Sequence, residues 1–227
     1  PEELHLFLNG TLSDEYDPFL LKGMAEAVAR IKKAVSVGEK VLIHGDYDVD
    51  GVTAAAVLAK TFDDIGLDYR LYLPERLKGG YGVSKKAIYY AREEGVSLIV
   101  TVDCGISAYE EAELAHQFGI EMIITDHHQP LRKTLPPAYC IINPWQPDCT
   151  YPFKDLSGVG VTYKLARGLG VNAHEKYLDL VAFGTVCDIS PLLSENRLLV
   201  KYGLKQFEET TNAGLKALKK CLPMRSH

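Results

Sequence analysis

The sequence predicts an α/β fold: a parallel sheet with helices on both faces, followed by a helical carboxyl-terminal segment. Three observations lead there. Short apolar runs are each followed by a helical pattern, VLIH (41–44) by 52–62 and SLIVTV (97–102) by 108–118, which is βαβα order. The runs are apolar throughout rather than alternating with polar residues, as strands covered on both faces of a parallel sheet are. Beyond Pro147 the character changes, and residues 151–222 read as successive helices with no convincing strand.

In chain order, residues 18–35 read as one amphipathic helix ahead of the first strand, with Pro18 in a first turn that tolerates proline. Residues 41–44 are the first strand and 52–62 its crossover helix. YRLYL (69–73) is a second strand, followed by a helix from about Lys85 to Glu94 and by the strand at 97–102. Ser107 with Glu110 has the capping-box spacing that opens a helix, which leaves 103–106 as the turn between strand and helix. EMIIT (121–125) and YCIIN (139–143) are the remaining strands. Residues 161–169, 174–186 and 196–209 are helices set apart by Gly, Pro and Asn signals. The resulting organisation is a helical lead-in (1–37), an α/β core (38–145) and a helical part (146–227), without an internal repeat, low-complexity tract or flexible linker.

Composition narrows the function. With 227 residues, 47% hydrophobic and 24% charged, the chain has the balance of a globular domain that buries a core, not that of a disordered one. Its nearly uncharged stretches, such as Val96–Val102 and Ile120–Thr125, fall far short of the roughly 20 residues of a membrane span. The opening PEELHLFLNG lacks the basic and apolar regions of a secretory signal, so a cytoplasmic address and no membrane partner are expected. A net charge of −5 withholds the overall basic field of a dedicated nucleic-acid binder, so a nucleic acid would have to be gripped locally. Five cysteines without a C-x-x-C pair argue against a disulfide framework and a zinc ribbon, and Cys104 is read as a small buried hydrophobe.

The densest chemical signal is His44-Gly45-Asp46-Tyr47-Asp48-Val49-Asp50-Gly51, directly after the first strand. Three carboxylates in five residues repel one another unless protons or cations neutralise them, and a hard divalent cation is the natural partner. Taken alone, a solvated acidic turn explains the motif equally well. Asp103, at the end of SLIVTV, and Asp126-His127-His128, at the end of EMIIT, tip the balance. Three strand ends then deliver carboxylates and imidazoles to the edge where open α/β sheets collect ligands. Imidazoles mixed with carboxylates suit manganese, iron or zinc, while magnesium suits a more carboxylate-rich position. Asp188, closing the apolar stretch 182–187, is a fourth candidate, poorly placed for a helix dipole unless a cation lies near. His5, His116, His174 and His227 are assigned no role. Gly158-Val159-Gly160 lacks the third glycine and the preceding strand of a dinucleotide-binding loop and reads instead as a closely packed helix start.

These four segments, in this order, resemble the DHH phosphoesterase family, whose name stands in the sequence at Asp126-His127-His128. Within it the chain is most similar to the RecJ branch of single-stranded-DNA exonucleases, through PFLLKGMAEAV, GDYDVDG, Gly80-Tyr81-Gly82, the run from Ile142-Asn143-Pro144 to Val161, and GTVCDISPL with Glu195-Asn196-Arg197. The resemblance implies a hydrolase with two divalent cations, Mn2+ or Mg2+. His44 and Asp48 would hold one ion, Asp50, His127 and Asp188 the other, and Asp103 would bridge them. His128 would face the substrate phosphate, with Asp46 and Asp126 orienting ligands from behind. Arg76, Tyr81, Asn143, Gly158, Gly160 and Arg197 are expected along the DNA, and Cys187 stands where a smaller residue is usual. A downstream glycine-rich substrate-binding domain is expected to be missing. The implied partners are single-stranded DNA and repair or replication proteins. Competing readings are a relative acting on short oligonucleotides, cyclic dinucleotides or pyrophosphate, and a non-catalytic scaffold. The filled ligand positions weigh against the scaffold.

Overall fold

A computed structural model describes residues 2–75 and 82–221. The chain opens with α1 (Glu2–Asn9) and two short 3-10 turns at Leu12–Asp14 and Pro18–Leu20, then runs α2 (Met24–Val37), β1 (Val41–Gly45), α3 (Val49–Ile65), β2 (Tyr69–Tyr72), α4 (Lys85–Glu93), β3 (Leu98–Val102), α5 (Tyr109–Gln117), β4 (Glu121–Thr125) and β5 (Cys140–Ile142). The helical part follows as α6 (Gly158–Gly168), α7 (Ala173–Lys176), α8 (Leu178–Cys187), α9 (Ser194–Glu208) and α10 (Ala213–Cys221). No helix among the described residues is long and apolar enough to cross a membrane.

The five strands pair in the order β2-β1-β3-β4-β5, all in parallel. Every residue of β1 and β3 is buried, which is why those runs carry no polar alternation. Their side chains go alternately to two cores. Val41, Ile43, Leu98, Val100 and Ile123 join α2, α3, α6 and α8 on one face, while Leu42, Ile99, Met122 and Ile124 join α4 and α5 on the other. Each such fully buried side chain contributes about 1.5–3 kcal/mol. Register then decides where the chemistry goes. Gly45 pairs with Val102, and Val102 with Thr125, so the next residues, Asp46, Asp103 and Asp126, leave the sheet from one row of strand ends.

Several boundaries differ from the sequence reading for local reasons. The lead-in is not one helix. Asp17 caps a separate 3-10 turn through a 2.9 Å bond from the Phe19 amide, and the chain then turns at Gly23 with φ +87°. A Cβ there would lie 2.2 Å from the Ile141 carbonyl oxygen, so only glycine lets α2 approach β5. Helix α3 starts at Val49, not Val52, because Asp48 caps it, and this places Asp50 in the first turn rather than in a loop. The Ser107–Glu110 capping box does not form. The entry to α5 is wound instead by backbone bonds from Ala108 N to the Gly105 oxygen and from Tyr109 N to the Ser107 oxygen. Tyr177, non-helical at φ −129°, splits the stretch 174–186 into α7 and α8. Helices α1 and α10 have no counterpart in the sequence reading.

Candidate metal centre

Each side chain of the cleft is placed by a specific backbone device. Asp48 accepts the Gly51 amide at 2.9 Å as the cap of α3. A Cβ on Gly51 would come within 2.6 Å of the Asp46 backbone, so glycine is what allows the helix to begin this tightly. Asp50, 1% exposed, accepts the amides of Gly158 and Val159 at 2.7 and 2.8 Å. These are the first amides of α6, where unsatisfied N–H groups and the helix dipole favour an anion. Asp103 adopts φ +60°, a conformation that aspartate tolerates better than most residues, and a Cβ on Gly158 would sit 2.2 Å from its Oδ1. Asp188 closes α8 at its C-cap, and Gly184 one turn earlier leaves room for Thr53 and Asp50 of α3.

Asp126 is the hub of the third strand end. It accepts the Ile106 amide at 2.8 Å, the His127 and His128 amides at 2.7 and 3.0 Å, and a 2.7 Å contact from His128 Nδ1. Asn143 steadies the same loop by donating to the His128 carbonyl at 2.9 Å while its Oδ1 accepts the Trp145 amide at 2.7 Å. His44 is fully buried, stacked on Tyr72 with centroids 5.4 Å apart, and its Nδ1 lies 3.6 Å from Cys104 Sγ.

The side chains converge. His127 Nε2 lies 3.2 Å from Asp103 Oδ1 and 3.9 Å from Asp50 Oδ2. One ligand atom each from Asp50, His127 and Asp188 falls within a common 4.8 Å, as do atoms from Asp103, His127 and His128. His128 thus joins Asp103 and His127, whereas His44 and Asp48 form no such group with them among the described residues. Among the described residues, five buried side-chain polar atoms lack a hydrogen-bond partner, and four are here: His44 Nε2, Asp46 Oδ2, Asp103 Oδ1 and His127 Nε2. Such orphaned atoms are costly in a protein interior unless something charged meets them, and lone pairs of oxygen and imidazole nitrogen are the donor set of a divalent cation.

The electrostatics agree. Burial pushes the Asp103 carboxyl well above the usual carboxylate range, and Asp50, Asp48 and Asp126 add to it. Asp50 is pushed up to about 6, first by burial and then by Asp188, against the opposing effects of His127 and the α6 amides. Burial lowers His44 to about 4, keeping its ring neutral, and raises Asp46, with Asp48 reinforcing the latter. Asp126 behaves differently: burial works to raise it, but the bond and charge of His128 hold it below the ordinary range. The bond to Asp126 in turn raises His128. One subset of carboxyls is therefore unfavourable as bare anions, relieved by a proton or a cation, whereas Asp126 is held as an anion by His128.

The remaining predicted positions fare differently. Arg76 and Tyr81 lie outside the described residues. The Gly158 and Gly160 amides bond Asp50 and Ser157 Oγ, so the protein itself engages the donors expected to meet DNA phosphate. Asn143 is buried and holds the His128 loop. Arg197 lies over the Phe7 ring at 3.6 Å and donates to the Phe7 carbonyl, an arrangement that fixes α1 rather than extending toward the cleft. Cys104 is buried in the α4–α5 core as expected. Sequence reasoning missed Ser157, whose Oγ caps α6 and bonds Thr185 Oγ1 at 2.7 Å, although a serine ahead of Gly-Val-Gly is a recognisable cap signal.

A parallel sheet whose consecutive strand ends carry Asp-x-Asp-x-Asp, Asp and Asp-His-His defines a class of phosphoesterase domain, and the comparisons give that class its family. The model of the DHH family, N-terminal domain, matches residues 40–185, and the chain belongs to this family. It is similar to the single-stranded-DNA-specific exonuclease RecJ of Bacillus subtilis (strain 168), 48% identical over 217 residues that make up 96% of this chain and 28% of that protein. A structure of exonuclease RecJ bound to manganese matches with a TM-score of 0.80 and 36% identity, covering 88% of this chain and 52% of that one. RecJ from Thermus thermophilus in complex with Mg2+ matches with a TM-score of 0.63 and 30% identity, covering 90% and 26%. The chain therefore spans only about a quarter to a half of these relatives.

Proposed function

We propose that this chain is the catalytic part of a RecJ-like exonuclease, a two-metal phosphodiesterase that removes nucleotides from the 5′ end of single-stranded DNA in cytoplasmic repair and recombination. The observation that carries this reading is the meeting of Asp103 Oδ1 and His127 Nε2, buried without a hydrogen-bond partner and 3.2 Å apart, with ligand atoms of Asp50 and Asp188 gathered at the same imidazole. His44 and Asp48 would hold one Mn2+ or Mg2+, Asp50, His127 and Asp188 the other, with Asp103 shared. When bound, such ions act as Lewis acids on a phosphoryl oxygen and activate water for attack.

The protein's own groups do the rest. Asp126 fixes the His128 ring through Nδ1 and favours its charged form, so Nε2 is the nitrogen that would donate to a non-bridging phosphate oxygen or to the leaving oxygen. Beside His128 opens a cavity of about 640 Å³ lined by Val83, Ile106, Ser107, Glu111 and Leu131, a size within the range of small-molecule sites and ample for a nucleotide unit. Arg76 and Tyr81 belong to the reading as residues that would meet the DNA, and both lie outside the described residues. A substrate-binding domain and repair or replication partners enter this reading by likeness to relatives of which the chain covers 28% and 52%.

The test uses oligonucleotides blocked at either end, with Mn2+ present. Protection by the 5′ block alone is expected. Equal protection by both blocks, or preference for a cyclic dinucleotide or pyrophosphate, transfers the case to the other DHH activities. Absence of any divalent-dependent hydrolysis overturns the reading.

A further inference from the structure

Asn196 lies in the first turn of α9, is fully buried, and touches none of the acidic or imidazole side chains of the cleft through a hydrogen bond. Its three bonds all go to main chain. Nδ2 donates to the Asp155 carbonyl at 2.7 Å and to the Pro191 carbonyl at 3.1 Å, and Oδ1 accepts the Ser157 amide at 3.3 Å. The destinations matter. Ser157 starts α6, and the next two amides are the ones that hold Asp50. Pro191 ends the turn that begins at the cleft residue Asp188 and passes through Ile189, which is 87% exposed with φ +61°. One buried amide therefore ties together the two segments that bring Asp50 and Asp188 to the same place.

Its own footing is firm. Neighbouring Glu195, 1% exposed, accepts the Tyr16 amide at 2.9 Å, Lys164 Nζ at 2.5 Å and the Tyr151 hydroxyl. This fixes the first turn of α9 to the amino-terminal segment and to α6. A second tether, the Ser157–Thr185 hydroxyl pair, joins α6 to α8 on the same side. Only a side chain that both donates and accepts at this length can serve. Aspartate would lose both donations and leucine all three bonds.

We infer that Asn196 is a positioning residue of the metal cleft, setting the amide cradle of Asp50 and the Asp188 turn in register with each other. This rests on the proposed metal site, and the experiment separates the two. Asn196→Ala, which removes all three bonds, and Asn196→Asp, which turns both donations into a carboxylate facing two carbonyl oxygens, are compared with Thr210→Val, which removes a buried bond to Asp179 outside the cleft and serves as a control for lost stability alone. Mn2+ binding is titrated by calorimetry and by electron paramagnetic resonance. Both Asn196 variants should bind Mn2+ about ten- to a hundredfold more weakly, the range seen when support of a metal ligand is removed, with Thr210→Val unchanged. A folded Asn196 variant with wild-type affinity and stoichiometry overturns the assignment, as does an equal loss in Thr210→Val. If the wild type itself binds no Mn2+, the functional reading fails. The positioning role is then read from amide hydrogen exchange at Gly158 and Val159 in Asn196→Asp: at least about tenfold faster exchange than in Thr210→Val sustains it, and equal protection rejects it.

Discussion

Asp103 concentrates the tension of the site, being 1% exposed, at φ +60°, and surrounded by other carboxylates. Asparagine tolerates that backbone conformation where alanine does not, so Asp103→Asn isolates the charge from the strain. The variant should lose about a hundred- to a thousandfold in hydrolysis, the scale of removing one group that stabilises transition-state charge, while its metal-free melting temperature rises because a repelling charge has gone. Undiminished Mn2+-dependent turnover contradicts the assignment. Asp50 yields a pH prediction. Its folded value, about 6, exceeds the unfolded value near 4, so the folded state holds the proton more tightly. Stability from this group is complete below about pH 4 and is lost as pH rises through about 6. In metal-free melting curves, wild type should lose ground to Asp50→Asn across that window, and Mn2+ should narrow the gap. A constant difference between the two proteins would remove Asp50 as the cause.

At the scale of elements, the α6 start is the tightest junction, since a Cβ on Gly158 would meet Asp103 Oδ1 at 2.2 Å. Gly158→Ala should therefore displace Asp103 and cut activity at least about tenfold, with a cost of roughly 1–3 kcal/mol from overpacking, measured by denaturant unfolding beside the assay. Normal values for both would mean that the helix start can yield. The same junction shows how far the sequence could be read. Apolar runs revealed β1, β3 and β4, because strands buried on both faces must be apolar along their whole length, and the charged residues directly after them marked the cleft edge. Helix starts were less legible. Asp48 was visible as a carboxylate but not as a cap, and Ser107 matched a cap pattern that the backbone satisfies by itself. The role of Asn143 came through its contacts with a loop and with Trp145, which spacing does not encode. The internal engagement of Gly158, Gly160 and Arg197 depends in the same way on tertiary neighbours 108 and 190 residues distant or on a local serine.

Across the whole molecule, a buried ionic network joins the amino-terminal segment to the helical part. Lys164 Nζ contacts Glu15 at 2.9 Å and Glu195 at 2.5 Å, with Arg167 also on Glu15. Lys164→Met would leave the buried Glu195 carboxylate without its cation while Glu15 keeps Arg167, and a loss of about 3–5 kcal/mol in unfolding free energy is expected. A loss below about 1 kcal/mol would mean that the Glu195 carboxylate finds water or a proton readily. Net charge sets a further expectation. At −5, with an acidic cleft, the chain should hold long single strands weakly and with a shallow salt dependence, because few phosphates are neutralised. Titrating a labelled strand across a salt series checks this, and tight binding with a steep slope would place the full binding track within these 227 residues.

The bond from the Gly158 amide to Asp50 spans 108 positions of the chain. On a ribosome adding about 5–20 residues per second, Asp50 emerges several seconds before the helix start that cradles it. Throughout that interval the emerging sheet edge carries its carboxylates without the amides that later hold one of them. The cluster is then a set of exposed acids in water, where repulsion is weak and protonation is unnecessary. The enclosure needs α6 and then Asp188, 30 residues beyond Gly158, so the cleft can be completed only late in synthesis.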